Sequence, residues 1–131
     1  MTTPNASERF IVDSSGWVEY LGDGPKAASF ATYIENTDSL LVPTIVVYEV
    51  SKKLLREYGK TLADRFYSLC DGFGEKLVLL DLPAAWLAAG VSLDKQLPMA
   101  DAIIYGAALT HRAGLITSDT HFSGLPGVTI I

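Results

Sequence analysis

Phe10-Ile11-Val12-Asp13-Ser14-Ser15 is the stretch on which the fold turns: three apolar residues run straight into an acid and two hydroxyls. The apolar triplet reads as a short strand, and the polar trio is suited to capping a helix whose Trp17, Val18, Tyr20 and Leu21 pack against the core. A strand that feeds directly into a helix is the first half of a strand–helix–strand unit, and it ends on an acid.

The same pattern recurs along the rest of the chain. Gly22-Asp23-Gly24-Pro25 breaks the chain, and Ala27 to Glu35 has helical spacing with Phe30, Tyr33 and Ile34 on one side. Ser39 to Val42 is a second apolar strand, ended by Pro43. Thr44 is placed to cap a helix from about Ile45 to Tyr58, with Val46, Val47, Val50, Leu54 and Leu55 inward and Gly59 as its stop. Leu62, Phe66, Leu69 and Phe73 mark another helical face. Leu77 to Leu82 reads as a continuous apolar strand buried on both sides. Pro83 starts a helix carrying Trp86, Leu87, Val91 and Leu93; Pro98 starts the next, from Met99 to about Arg112, stopped by Gly114. Leu115-Ile116-Thr117 and Val128 to Ile131 are the last strands. About five short strands separated by helices imply an α/β fold with a central parallel sheet, right-handed crossovers and helices on both faces. Met1 to Glu8 is polar and reads as a flexible tail, leaving residues 9–131 as one domain.

Composition narrows the function. The chain has 131 residues, 49% hydrophobic and 19% charged, which is the make-up of a packed globule. Fifteen Asp and Glu against ten Lys and Arg give a net charge of −5, which argues against a strongly basic nucleic-acid binder held by phosphate contacts. Cys70 is the lone cysteine and cannot form an internal disulfide, and no charged segment with an apolar core opens the chain, so a cytoplasmic location is expected. The apolar stretches fall far short of the ~20 residues a membrane span needs.

In an open parallel sheet, ligands bind at the carboxyl ends of the strands. Four acids fall there, each from a different segment: Asp13 after the first strand, Glu49 one turn into the helix after the second, Asp101 in the first turn of the helix from Pro98, and Asp119 after the fourth strand. Each also has a structural role open to it. Asp13 suits a helix cap, Asp101 suits the positive end of its helix, and Asp119 suits a turn. Glu49 is harder to place that way, because Val46, Val47 and Val50 flank it and an unpaired buried carboxylate is costly. Four carboxylates at one end of a sheet repel one another unless protonated or bound to a cation, and a hard ion such as Mg²⁺ or Mn²⁺ suits them. Zinc does not: His111 and His121 stand ten residues apart and Cys70 is alone.

Val12-Asp13-Ser14-Ser15, Val47-Tyr48-Glu49-Val50, Met99-Ala100-Asp101-Ala102-Ile103-Ile104 and Leu115-Ile116-Thr117-Ser118-Asp119-Thr120-His121-Phe122, followed by Leu125-Pro126-Gly127-Val128, resemble the successive motifs of PIN-domain ribonucleases. The resemblance is to the VapC-type toxins of toxin–antitoxin pairs and runs from about Phe10 to Ile131. The eight-residue N-terminal extension departs from the pattern, as does Ser118, where other polar or basic residues often stand. The resemblance implies a three-layer α/β/α PIN-like fold and a metal-dependent endoribonuclease with Asp13, Glu49, Asp101 and Asp119 as its acids. Asp13 and Asp101 are then assigned as direct or water-bridged ligands of Mg²⁺ or Mn²⁺, Glu49 and Asp119 as acting through water or a second ion, and Ser14 and Thr117 as hydroxyls that orient them. It also implies an RNA substrate, a cognate antitoxin and a homodimer. Glu49, Lys52, Lys53, Arg56 and Lys60 fall at helical spacing, so one helix is positioned to carry an acid to the metal and bases to RNA phosphates, or else a solvated face of charge pairs. His121 reads as a surface turn residue whose participation stays open.

Two rivals stand beside this reading: a PIN-type RNA-processing nuclease outside a toxin pair, and a receiver-like phosphate-signalling domain, which Asp81 invites. Asp13 is followed by serines where a receiver has a second acid, and Val128 to Ile131 contains no lysine. Neither G-x-G-x-x-G nor G-x-x-x-x-G-K occurs, so no nucleotide fingerprint competes.

Overall fold

A computed structural model describes residues 8–131; of the tail expected at Met1 to Glu8, Met1 to Ser7 lie outside the described residues, and Glu8 is exposed coil. The strands are β1 (Phe10–Val12), β2 (Leu40–Pro43), β3 (Leu77–Val78), β4 (Gly114–Thr117) and β5 (Val128–Ile130). Between them run α1 (Ser14–Leu21), α2 (Ala27–Ile34), α3 (Thr44–Glu57), α4 (Lys60–Asp71), α5 (Leu82–Lys95) and α6 (Met99–His111). All five strands are parallel, in the order β3-β2-β1-β4-β5, with Ile11 opposite Leu41 on one side and Leu115 on the other. Helices cover both faces, the three-layer arrangement the alternating pattern implies.

The strand order has two consequences. The chain winds outward from β1 through β2 to β3, then crosses back to lay β4 on the other flank of β1, so the order reverses between β1 and β4. The crevice at the carboxyl end of such a switch point is where open α/β sheets bind ligands, and Asp13 and Asp119 follow those two strands. A receiver has the order 2-1-3-4-5, so the receiver-like alternative is excluded by topology.

The core explains why α1 begins where it does. Ile11, Val12, Leu115 and Ile116 are buried at the centre of the sheet, and Trp17, 0% exposed, packs edge-on to Phe66 at 5.6 Å between ring centres. A Cβ on Gly16 would stand 2.5 Å from both the Phe30 ring and Val12 Cγ1, so only glycine lets α1 close onto β1 and α2 at this depth. That contact fixes the turn on which Asp13 sits.

Three sequence expectations change. Leu77 to Leu82 is not a continuous buried strand: β2 gives its last pairing residues, Val42 and Pro43, to Leu77 and Val78, and the chain then turns into α3. No partner remains beyond Val78, so Leu79 and Leu80 leave the sheet and are exposed, and Asp81 caps α5 by accepting from the Ala84 N–H at 3.0 Å. Thr44 is the first helical residue and makes no cap; its hydroxyl donates to the Val78 carbonyl at 3.5 Å. Leu55 points to solvent, since α3 buries only the narrower stripe of Val46, Val50 and Leu54.

Candidate active site

Asp13 follows β1 in an extended conformation and caps α1, its Oδ1 accepting from the Gly16 N–H at 3.4 Å and from the Ser15 hydroxyl at 2.6 Å. The residue is 3% exposed. Burial pushes its carboxyl up to about 6, against the pull of hydrogen bonds from Ser15, Thr117 and Gly16, and the charge of Asp119 adds to the rise. Thr117 is fully buried at the end of β4, and its Oγ1 accepts from the Asp119 N–H at 2.9 Å. Asp119 in turn caps a 3-10 turn, Thr120–Phe122, by accepting from the His121 N–H at 2.9 Å.

Glu49 comes in from α3. Burial raises its carboxyl first, a hydrogen bond from Ser14 opposes the rise, and the charges of Asp101 and Asp119 add to it. Its Oε1 has no accessible surface and finds no hydrogen-bond partner among the described residues. Asp101, in the first turn of α6, is raised by burial and then by Asp119, with His121 pulling the other way. These mutual repulsions link all four acids that the sequence singles out. Asp13, Ser14, Ser15, Glu49, Lys53 and Asp119 line one cleft of about 500 Å³. Asp101, Asp119 and His121 each offer a donor atom, all within 4.8 Å of one another.

The two serines divide the work differently from the sequence reading. Ser14 faces Glu49, whereas Ser15 holds Asp13, lies 3.4 Å from Thr117 Oγ1 and accepts from the Ser118 N–H at 3.2 Å. Ser15 is the hydroxyl the sequence reading missed: adjacent helical residues diverge by about 100°, and Asp-Ser-Ser alone does not say which serine turns back to the acid. His121, whose participation the sequence leaves open, has its Nδ1 3.4 Å from Asp101 Oδ2 and 3.5 Å from Asp119 Oδ1.

The basic row is broken. Lys53 lies one turn beyond Glu49 and reaches the cleft, its ammonium 3.2 Å from Glu57, which Arg56 also approaches at 3.2 Å. Lys52 sits 5.9 Å over the exposed Tyr48 ring, on the neighbouring face of α3 with Leu55 and Arg56. Lys60 does not continue the row: α3 ends at Glu57, Gly59 turns the chain at φ +96°, and Lys60 opens α4 paired with Asp64 at 2.7 Å.

Residues 10–128 match the family model described as the PIN domain. The chain belongs to the PIN-domain family. PIN domains are nuclease domains, which accords with an acidic cleft at the switch point of the sheet. Among curated proteins, none matches the sequence. Among solved structures, this PIN domain is similar to a chain of a toxin–antitoxin complex from Klebsiella pneumoniae, at a TM-score of 0.71 and 22% identity over 91% of this chain and 94% of that one. It is likewise similar to a chain of DNA-bound VapBC from Salmonella typhimurium (TM-score 0.69, 17% identity, 95% and 97% covered). A third similar structure is FitAcB from Neisseria gonorrhoeae (TM-score 0.67, 16% identity, 86% and 88% covered). At these identities the likeness is one of fold.

Proposed function

We propose that this PIN domain is a metal-dependent endoribonuclease and the toxin of a toxin–antitoxin pair. The observation that carries the reading is the meeting of four carboxylates from four separate segments, with Asp13, Glu49 and Asp101 raised by burial and by neighbouring acid charge. Groups so placed gain from a shared divalent cation, and Glu49 Oε1, without a hydrogen-bond partner among the described residues, is an oxygen of the kind that Mg²⁺ or Mn²⁺, or a water bound to it, takes. In this reading Asp13 and Asp101 hold the ion directly or through water, and Glu49 and Asp119 act through water or a second ion.

A bound divalent ion would supply Lewis-acid polarisation of the scissile phosphate and a more acidic water. The chain does the rest. Ser15 and Thr117 fix Asp13, Ser14 fixes one side of Glu49, and the Thr117 hydroxyl and His121 N–H fix Asp119. Glu49 or Asp119 accepts the proton lost by the attacking water. Lys53, beside the acids, meets a flanking phosphate, with Lys52 and Arg56 extending the contact along α3.

An antitoxin partner is proposed from the solved neighbours, several of which are toxin–antitoxin complexes. A homodimer is supported by the outer face of α5 and the start of α6, where Leu82, Trp86 and Leu93 are 84%, 84% and 85% exposed beside Met99. No helix among the described residues is long and apolar enough to cross a membrane, and a cytoplasmic site of action goes with the RNA substrate. The test is cleavage of a mixed RNA panel with Mg²⁺ and with EDTA. Cleavage that EDTA and Asp13→Asn both abolish supports the reading, and cleavage indifferent to EDTA rejects it.

A further inference from the structure

The edge of the acidic cleft carries a group that carboxylate chemistry alone does not call for. His121 is an exposed imidazole held against two acids, with Nδ1 at 3.4 Å from Asp101 Oδ2 and 3.5 Å from Asp119 Oδ1. Both separations exceed those of a well-made N–H···O hydrogen bond, about 2.7–3.2 Å. They suit donors sharing one ion: atoms about 2.1 Å from a metal stand about 3.0 Å apart at neighbouring octahedral positions and about 3.4 Å apart in a tetrahedron. The backbone favours that arrangement as well, because the His121 N–H is tied to Asp119 Oδ1, which holds the imidazole on the same side as the carboxylates. Glu49, which feels the charges of the same two acids, leaves Oε1 buried and unpartnered among the described residues, a second sign that a ligand is missing from their balance.

We propose that His121 is a nitrogen donor to an ion that Asp101 shares with Asp119, the second-ion arrangement of the reading above, and sets which ion this PIN domain prefers. The inference rests on the metal-dependent reading above and deepens it. Carboxylates and water suit Mg²⁺, whereas imidazole adds affinity for borderline ions and rises in value from Mn²⁺ to Co²⁺. A site with His121 in place therefore prefers Co²⁺ and Mn²⁺ to Mg²⁺, and one without it approaches the indifference of an all-oxygen site. The runner-up role for the imidazole is an ion pair with the two acids, which would need no metal.

Calorimetric titration of Mg²⁺, Mn²⁺ and Co²⁺ into the metal-stripped full chain separates the two, with wild type, His121→Ala and Asp101→Asn compared and the Co²⁺ visible spectrum recorded. His121→Ala should weaken Co²⁺ by about tenfold or more while changing Mg²⁺ by less than about twofold, and should shift the Co²⁺ bands as a nitrogen ligand is lost. Equal loss for all three ions, or no loss for any with an unchanged Co²⁺ spectrum, overturns the assignment of His121. If no ion binds wild type at all, the metal reading itself fails, an outcome distinct from the first because it does not depend on His121. Because His121 is exposed, matching thermal midpoints of the stripped proteins establish that the variant is folded.

Discussion

Asp13 shows how a single residue ties the fold to the candidate site. Its position after β1 makes it a helix cap, its burial makes it a reluctant anion, and its neighbours make it one of four. The pH dependence follows with a definite sign. A carboxyl raised from 3.8 to about 6 binds its proton more tightly in the native state, so its contribution to stability is full below about 3.8 and is lost as the pH rises through about 6. In buffer free of divalent ions, Asp13→Asn should therefore be more stable than wild type near neutral pH, by up to about 2–3 kcal/mol, and no more stable near pH 4. Urea melts at the two pH values check this; a constant difference between the proteins would mean that Asp13 is not strained by burial. Ser15→Ala removes the 2.6 Å hydrogen bond that pulls the Asp13 carboxyl down. It should move the acid limb of the cleavage pH profile upward and weaken ion-induced stabilisation about tenfold in affinity, where a merely structural serine would change only the thermal midpoint.

Helices and strands were legible from sequence wherever local pattern and partner agreed. Phe10 to Val12 and Leu115 to Thr117 alternate with nothing, being buried on both faces, and both are strands at the centre of the sheet. Leu77 to Leu82 has the same apolar run yet ends after two residues, because strand length is set by what lies alongside and β2 stops at Pro43. The basic row on α3 stops short of Lys60 for a related reason: helical spacing alone runs through Gly59, whose positive φ ends one helix and starts the next. The clustering of the four acids was readable because Asp13 and Asp119 follow strands, Asp101 opens a helix and Glu49 lies one turn into the helix after β2, whereas Ser15 and His121 depend on angles and distances that only the packed chain sets. Gly16→Ala should cost about 2 kcal/mol in a denaturant melt, since Phe30 and Val12 are both fully buried and cannot retreat. Lys53→Ala should leave ion-induced stabilisation intact and lower the salt dependence of RNA binding by about one phosphate contact, read by fluorescence anisotropy across salt concentrations.

For the molecule as a whole, the charge of −5 takes on a different meaning. Four of the 15 acids are gathered at the switch point of the sheet, which leaves 11 against ten Lys and Arg elsewhere, a nearly neutral shell. In the proposed function, an RNA approaching this molecule meets one concentrated acidic site, flanked on α3 by Lys53, rather than a uniformly repelling surface. The opposite polarity holds along α5, where Trp86 and its leucine neighbours are too exposed for a lone surface helix; Trp86→Glu should halve the mass seen by light scattering if this face pairs two copies, and leave it unchanged if it does not. The central claim is that the four carboxylates share a divalent ion and use it to cut RNA. Its most direct test is cleavage of an RNA panel by the metal-stripped chain as Mg²⁺ or Mn²⁺ is added back, with Asp13→Asn in parallel. The account predicts no cleavage without the ion, recovery that saturates with it in wild type, and none in the variant; full cleavage by the stripped protein, or by Asp13→Asn, would contradict it.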